Sequence, residues 1–374
     1  MSGAGKLKPL LQEACGPVFP GCALAVHRQG HPWLSLSAGV LGSKDEAPDA
    51  AVRPVTAETL YDVASVTKAL VTAPLLMRRL AEGRLDLDAP VASRSALLCR
   101  LDPRITFRHL AAHRAGLPAW RPFYIDLLLP EDRQPRLVPG DARSAVLEQI
   151  LRGPLLSPPG DAELYSDLGY MLLGWCLEEE SNTPLDRQFQ DEIAGPLRLD
   201  ACFTPLTQVA SPRAELAASR IAPTEAYEGR TLARGQVHDD NAFALGGVAG
   251  HAGLFATAEA IARLGDELLR ARQGQSAILD QAAARAFLNA ARPSPPETRI
   301  PGYDTPTPGA SSAGQHFSPG SFGHLGFTGC SLWCDPERQL SVAFLSNRVH
   351  PTRENEAIRA FRPRLHDEIA NLTP

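Results

Sequence analysis

The chain has 374 residues, 44% of them hydrophobic and 21% charged, with a formal net charge of −5. That length supports one large or two ordinary domains with a sizeable core. The composition excludes a disordered chain, and the acidic balance gives no electrostatic reason to expect nucleic acid. No window approaches the roughly 18 consecutive apolar residues of a membrane span. Met1 to Leu11, basic at Lys6 and Lys8 but followed by Glu13, Gly16 and Pro17, does not read as a signal peptide. Seven cysteines at scattered spacing suit free, mostly buried thiols in a reducing cytosol, so a cytoplasmic location is expected.

Gly21 to Val26 and Pro32 to Ala38 are apolar runs joined by Arg28-Gln29-Gly30-His31, a β-hairpin pattern. Lys44 to Arg53 is polar, holds Pro48, and reads as a loop. A helix is expected from Ser65 to about Glu82, with Gly83 as its C-cap and Pro74 kinking it one turn past Lys68. Thr106 to Ala115 reads as a short helix stopped at Gly116. Trp120 to Gly140 carries four prolines with Phe123 and Tyr124, the mark of a long loop that forms a lid or binding wall.

Helices are expected over Arg143 to Leu151, after Tyr165-Ser166-Asp167, and over Thr183 to Leu197, Thr257 to Arg272, Ala282 to Leu288 and Arg353 to Ile369. Thr257 to Arg272 is amphipathic, with Ile261, Leu264, Leu268 and Leu269 on one face. Pro293 to Pro319 reads as a surface loop. Gly329 to Cys334 and Leu340 to Leu345 read as strands about an Asp335-to-Gln339 turn. Strands at both ends and helices between them predict an α/β (α+β) fold, an antiparallel sheet flanked by helices. A mostly helical insertion packs against it. In this reading residues 1–64 and 255–374 form one lobe and 65–254 the other, within a single catalytic unit. The groove between them is the natural site.

Chemistry concentrates at Ser65-Val66-Thr67-Lys68. A serine three residues before a lysine lies on the same helical face, which brings amine to hydroxyl. The helix N-terminus favours an alkoxide, and apolar neighbours push a lysine towards its neutral, proton-accepting form. The chain has only four lysines, Lys6, Lys8, Lys44 and Lys68, so the one in an apolar helical turn is not a random solubilising charge.

Together with Tyr165-Ser166-Asp167 and His324-Leu325-Gly326, this stretch resembles the three signature motifs of the serine β-lactamase and penicillin-binding superfamily, in their order along the chain. The likeness is to class C β-lactamases, D-alanyl-D-alanine carboxypeptidases and family VIII esterases, and runs from about Gly21 to Leu365. Flanking stretches share it: Leu85-Asp86-Leu87-Asp88, Ile105 to Leu110, Gly247 to Phe255 and Gly323 to Pro336. The resemblance implies that Ser65 is the acylated nucleophile and Lys68 holds or accepts its proton. It makes Tyr165 a shuttle between nucleophile, leaving group and water, given a phenol pKa lowered by the lysine ammonium. The N–H groups of Ser65 and Phe327 would form the oxyanion hole. Leu325 and Gly326 would border the substrate along a strand edge, where a side chain on Gly326 would obstruct it.

Two departures bear on the substrate. Asp167 stands where the family has Asn; a carboxylate cannot donate to a substrate carbonyl, but can pair with Lys68 and pass the base role to Tyr165. His324 stands where a Lys is usual, and is cationic only part of the time near neutral pH. The grip on a substrate carboxylate weakens, with Arg348 in partial compensation. Both changes point from a penicillin-degrading enzyme towards an esterase or amidase acting on a small ester, amide or β-lactam. A β-lactamase, a D-amino-acid peptidase or an acyltransferase using the same acyl-enzyme are the alternatives, with a silent binding protein behind them.

No cofactor, metal, nucleic-acid or membrane partner is expected, and the oligomeric state is open. Gly246 to Gly253 lacks the Lys and Ser/Thr of a phosphate loop and reads as a tight packing turn. His238, Asp239 and His251, like His109 and His113, match no metal-binding frame.

Overall fold

The computed structural model describes residues 3–42, 53–96, 98–129, 134–204, 220–226, 235–290 and 297–373. Most of the expected Lys44-to-Arg53 loop lies outside the described residues. So do the tip of the Trp120-to-Gly140 stretch and the start of the Pro293-to-Pro319 stretch.

The hairpin forms as expected, with β1 (Gly21–Arg28) and β2 (His31–Gly39) turning at Gln29 and Gly30, both at positive φ. Short strands follow: β3 (Tyr61–Asp62), β4 (Ala201–Phe203), β5 (Leu254–Ala256), β6 (Arg299–Ile300) and β7 (Tyr303–Asp304). The chain closes with β8 (Phe322–Leu325), β9 (Ser331–Asp335) and β10 (Leu340–Ser346). A seven-stranded antiparallel sheet has the order β2-β1-β10-β9-β8-β7-β6, so strands from the two ends of the chain pair directly. A three-stranded sheet, β3-β5-β4, sits where the chain enters and leaves its helical middle.

The large sheet is buried on both faces, which is why its central strands read as continuous apolar runs. Cys22, Leu24 and Val26 of β1 and Val342 and Phe344 of β10 pack on one face, with the helices Gly3–Ala14 and Ile358–Leu372. Ala23, Ala25, Ala343 and Leu345 pack on the other, against the helix Ala258–Gln273. Gly265 permits that approach, since a Cβ there would stand 2.2 Å from the Ser341 hydroxyl.

Two expectations need correction. The Pro293-to-Pro319 stretch is not all loop, because β6 and β7 extend the large sheet at its edge. Two-residue strands are too short to show a period, and they are pinned by the buried Ile300 and Tyr303 side chains. The helix Gly3–Ala14, which accommodates Pro9, was not anticipated; Leu7, Leu10, Leu11 and Ala14 form its buried stripe. Among the described residues no helix is long and apolar enough to cross a membrane.

Candidate active site

Ser65 is presented by a strained turn. Beyond β3, Ala64 holds a left-handed φ of 47°, unusual for a residue with a side chain and costing about 1–3 kcal/mol. The buried Asp62 carboxylate holds it there, accepting from the Ala64 N–H at 2.8 Å and from the His238 N–H at 2.6 Å. The turn swings the chain into a helix with Ser65 at its first turn. Ser65 is half-buried on the wall of a cleft of about 850 Å³.

Lys68 lies one turn on and is fully buried. Its Nζ donates to Ser65 Oγ at 3.0 Å and to the His251 carbonyl at 3.0 Å, and pairs with Asp167 Oδ1 at 2.7 Å. The expected kink at Pro74 is a π turn over Lys68–Thr72, leading into the helix Ala73–Ala81. Pro74 has no N–H to give, and the Tyr303 hydroxyl donates instead to the Ala69 carbonyl at 3.1 Å.

Burial alone would push Lys68 towards the neutral amine; the Asp167 carboxylate and Tyr165 together outweigh it, and the pKa ends above its ordinary value. Of the two expectations for this lysine, a neutral amine among apolar neighbours and an ammonium paired with Asp167, the contact supports the second.

Tyr165 precedes the helix Asp167–Ser181, whose N-cap is Ser166. Lys68 Nζ stands 5.1 Å from the centre of its ring, and Arg299 lies over the ring at 4.9 Å. Burial raises the phenol pKa, and the opposing Lys68 ammonium and Ser65 hydroxyl do not cancel it. The expected lowering is thus reversed: the resting site holds an ammonium and a neutral phenol.

The second wall is the tight turn between β8 and β9. Gly326 N–H donates to the Cys330 carbonyl at 2.8 Å, and the Thr328 hydroxyl donates to the Asp62 carbonyl at 2.7 Å, which ties this turn to the Ser65 segment. Gly326 is required by packing: a Cβ would stand 2.3 Å from the Val63 carbonyl oxygen. Phe327 and Ser65 both line the cleft, and among the described residues neither of their N–H groups has an acceptor. Unsatisfied donors at such a place are rare and suit an incoming oxyanion.

The profile of the Beta-lactamase family matches residues 11–364. The chain belongs to the Beta-lactamase family. Among its relatives, an N-acetylmuramyl-L-alanine amidase of Bacillus subtilis (strain 168) is 29% identical over 368 residues, 92% of this chain and 81% of that one. A protein of Escherichia coli (strain K12), provisionally named a D-alanyl-D-alanine carboxypeptidase, is 31% identical over 323 residues, 79% of this chain and 70% of the relative.

Of solved structures, EstCE1, described as a hydrolase with promiscuous acyltransferase activity, superposes with a TM-score of 0.74 at 22% identity. The match covers 99% of this chain and 98% of the other. A penicillin-binding protein homologue from Caulobacter crescentus gives 0.72 at 20% identity, covering 100% and 98%. These two likenesses show the β-lactamase/transpeptidase-like fold. The protein is an enzyme of this serine-hydrolase family.

The remaining positions of this Beta-lactamase family member fall as follows. His324, Leu325, Gly326 and Arg348 all line the cleft. His324 is buried; its Nδ1 is 2.8 Å from the Leu325 carbonyl, and burial pushes its pKa down to about 4. It is neutral near pH 7, where part-time charge was expected. Arg348 spends Nε on the Phe327 carbonyl at 2.9 Å and Nη1 on the Arg353 and Asn355 carbonyls, so backbone contacts claim much of the guanidinium expected to face a substrate carboxylate.

Supporting residues escaped the sequence reading. His113, at a φ of 58°, accepts from the Ser166 N–H at 3.0 Å through Nδ1 and packs its ring 4.4 Å from that of Tyr165. Its four-residue spacing from His109 matches no metal-binding frame, and His109 instead closes a capping box with Thr106. The glycine-rich loop packs tightly: a Cβ on Gly250 would stand 2.3 Å from the Tyr170 carbonyl oxygen. That loop delivers the His251 carbonyl to Lys68, while the His251 ring pairs with Asp239 at 3.0 Å.

Proposed function

We propose that the protein hydrolyses a carboxylic ester or a small amide through a Ser65 acyl-enzyme, with Lys68 and Tyr165 managing the protons. The observation that carries this is the Lys68 ammonium bridging Ser65 Oγ at 3.0 Å and Asp167 at 2.7 Å, with Tyr165 alongside. Lys68 is charged and cannot take the Ser65 proton. The neutral Tyr165 hydroxyl accepts it while passing its own proton to the departing alkoxide or amine, so no free phenolate forms. The adjacent ammonium stabilises the negative charge that builds on the phenol during transfer. The Ser65 and Phe327 N–H groups receive the oxyanion of the tetrahedral intermediate. Deacylation runs the same exchange backwards with water in place of the leaving group, and the chemistry needs no cofactor.

The substrate end favours an uncharged group. His324 is neutral and the Asp167 charge is spent on Lys68, so neither position offers a substrate carboxylate the cation that the family's lysine would supply. A D-amino-acid peptidase or β-lactamase is the second reading, favoured by the name of the E. coli relative. Acyl transfer to an alcohol follows if that alcohol replaces water.

A fluorophosphonate probe should add its mass at Ser65 in the wild type and not in Ser65→Ala. Turnover of p-nitrophenyl acetate should exceed that of nitrocefin. Faster nitrocefin turnover would reverse the ranking of substrates, and an unlabelled Ser65 would remove the acyl-enzyme.

A further inference from the structure

Arg362, on the helix Ile358–Leu372, is 7% exposed. One nitrogen, Nη2, donates to two carbonyls of the β8–β9 turn, Gly326 at 3.1 Å and Cys330 at 3.0 Å. The Gly326 carbonyl belongs to the peptide unit whose N–H is that of Phe327. One residue on, Arg348 Nε donates to the Phe327 carbonyl at 2.9 Å. Two guanidiniums therefore grip the carbonyls on either side of the single N–H of Phe327, a residue that lines the cleft.

Neither arginine has a carboxylate within ion-pair distance among the described residues, and Arg362 Nε is buried with no acceptor. Anchoring the turn does not account for so costly an arrangement, because a buried charge without a counter-ion is expensive. The turn already has the Gly326-to-Cys330 hydrogen bond and the Thr328 tether to Asp62.

We propose that Arg362 is a positioning residue of the oxyanion hole, with Arg348 as its partner: the guanidinium fixes and polarises the Gly326–Phe327 peptide so that the Phe327 N–H is aimed and strengthened as a donor. The peptide is planar, so holding its oxygen sets the direction of its N–H. A cationic donor on the carbonyl draws electron density through the amide and leaves the N–H proton more positive, as in any polarised hydrogen-bond chain. The positive charge is also in place before the oxyanion forms and needs no rearrangement.

This inference rests on the Ser65 acyl-enzyme reading. The test compares wild type with Arg362→Gln and Arg362→Lys, using kcat and KM on p-nitrophenyl acetate, inhibition by phenylboronic acid, and the carbonyl stretching frequency of a chromophoric Ser65 acyl-enzyme. Arg362→Gln should lose on the order of 10- to 100-fold in kcat, a fraction of the cost of deleting an oxyanion donor outright. KM should stay within about threefold. Boronate affinity should fall by the same factor as kcat, and the acyl carbonyl band should move to higher frequency. Arg362→Lys, which keeps the charge but not the planar fork, should fall between.

A folded Arg362→Gln with wild-type kcat and boronate affinity overturns the proposal, as does a loss confined to KM. If the Gln variant does not fold, Arg362→Lys decides alone: at least a threefold loss of kcat at constant KM supports the proposal, and wild-type kcat overturns it. Absence of any wild-type Ser65 adduct instead defeats the acyl-enzyme reading, so the two failures are distinguishable.

Discussion

Gly326→Ala is the sharpest perturbation available at the β8–β9 turn. The new methyl would stand 2.3 Å from the Val63 carbonyl oxygen and 3.3 Å from Cys330 Cβ. Non-bonded contacts settle near roughly 3.5 Å, so the turn must retreat by about 1 Å. It carries the Phe327 N–H with it. A displacement of that size at a reacting centre costs on the order of 10²-fold in rate. Losing one oxyanion donor costs about 10² to 10³ in kcat, or about 2.7–4 kcal/mol. Gly326→Ala should therefore lose about 10²–10³ in kcat on p-nitrophenyl acetate, with KM little altered. Overpacking should also lower stability by about 1–3 kcal/mol. Rates are accordingly expressed per active site titrated with fluorophosphonate. Gly320→Ala is the control, since its Cβ meets Pro336 Cγ at an ordinary 3.4 Å, and it should match wild type. A Gly326→Ala enzyme retaining more than about a third of wild-type kcat per titrated site would refute the reasoning, because such a displacement costs far more.

Three further outcomes are expected. Asp167→Asn removes the largest of the contributions that oppose burial at Lys68, so the amine titrates lower; kcat/KM should then rise with pH across the neutral range where the wild type is flat, and superimposable profiles would contradict the ion-pair account. His324→Lys supplies the missing cation and should speed acylation by nitrocefin relative to p-nitrophenyl acetate by roughly tenfold or more, with an unchanged ratio counting against the substrate argument. Burial holds His113 well below the ordinary histidine range and His324 and His366 at about 4. The unfolded chain then binds protons that the folded chain does not as pH falls from about 6.5, so each histidine withdraws up to about 1.4 kcal/mol per pH unit. Melting temperature should drop steeply from pH 6.5 to 4.5 and less steeply in His366→Gln; equal slopes would be inconsistent with this.

The hairpin, the amphipathic helix Ala258–Gln273 and the motif residues were legible because each depends on local pattern: alternation, a 3.6-residue stripe, or a short spacing. What escaped depends on partners distant in sequence. Apolar neighbours suggested a neutral Lys68 and the departure at Asp167 a charged one, and only the folded chain, with the 2.7 Å pair, decides between them. Gly326 read as room for a substrate, yet the close contact is with Val63, 263 residues earlier. His113 was weighed beside His109 because they are four apart, while its real neighbours are Ser166 and Tyr165. Two-residue strands such as β6 and β7 carry no periodic signal at all.

The scarcity of lysine has a practical consequence. Lys6 and Lys8 stand exposed on the first helix, whereas the Lys68 amine is sealed from solvent. Amine-directed crosslinkers, dyes or resins will therefore react at Lys6 and Lys8, on a helix none of whose described residues borders the cleft, and leave the buried Lys68 amine unmodified.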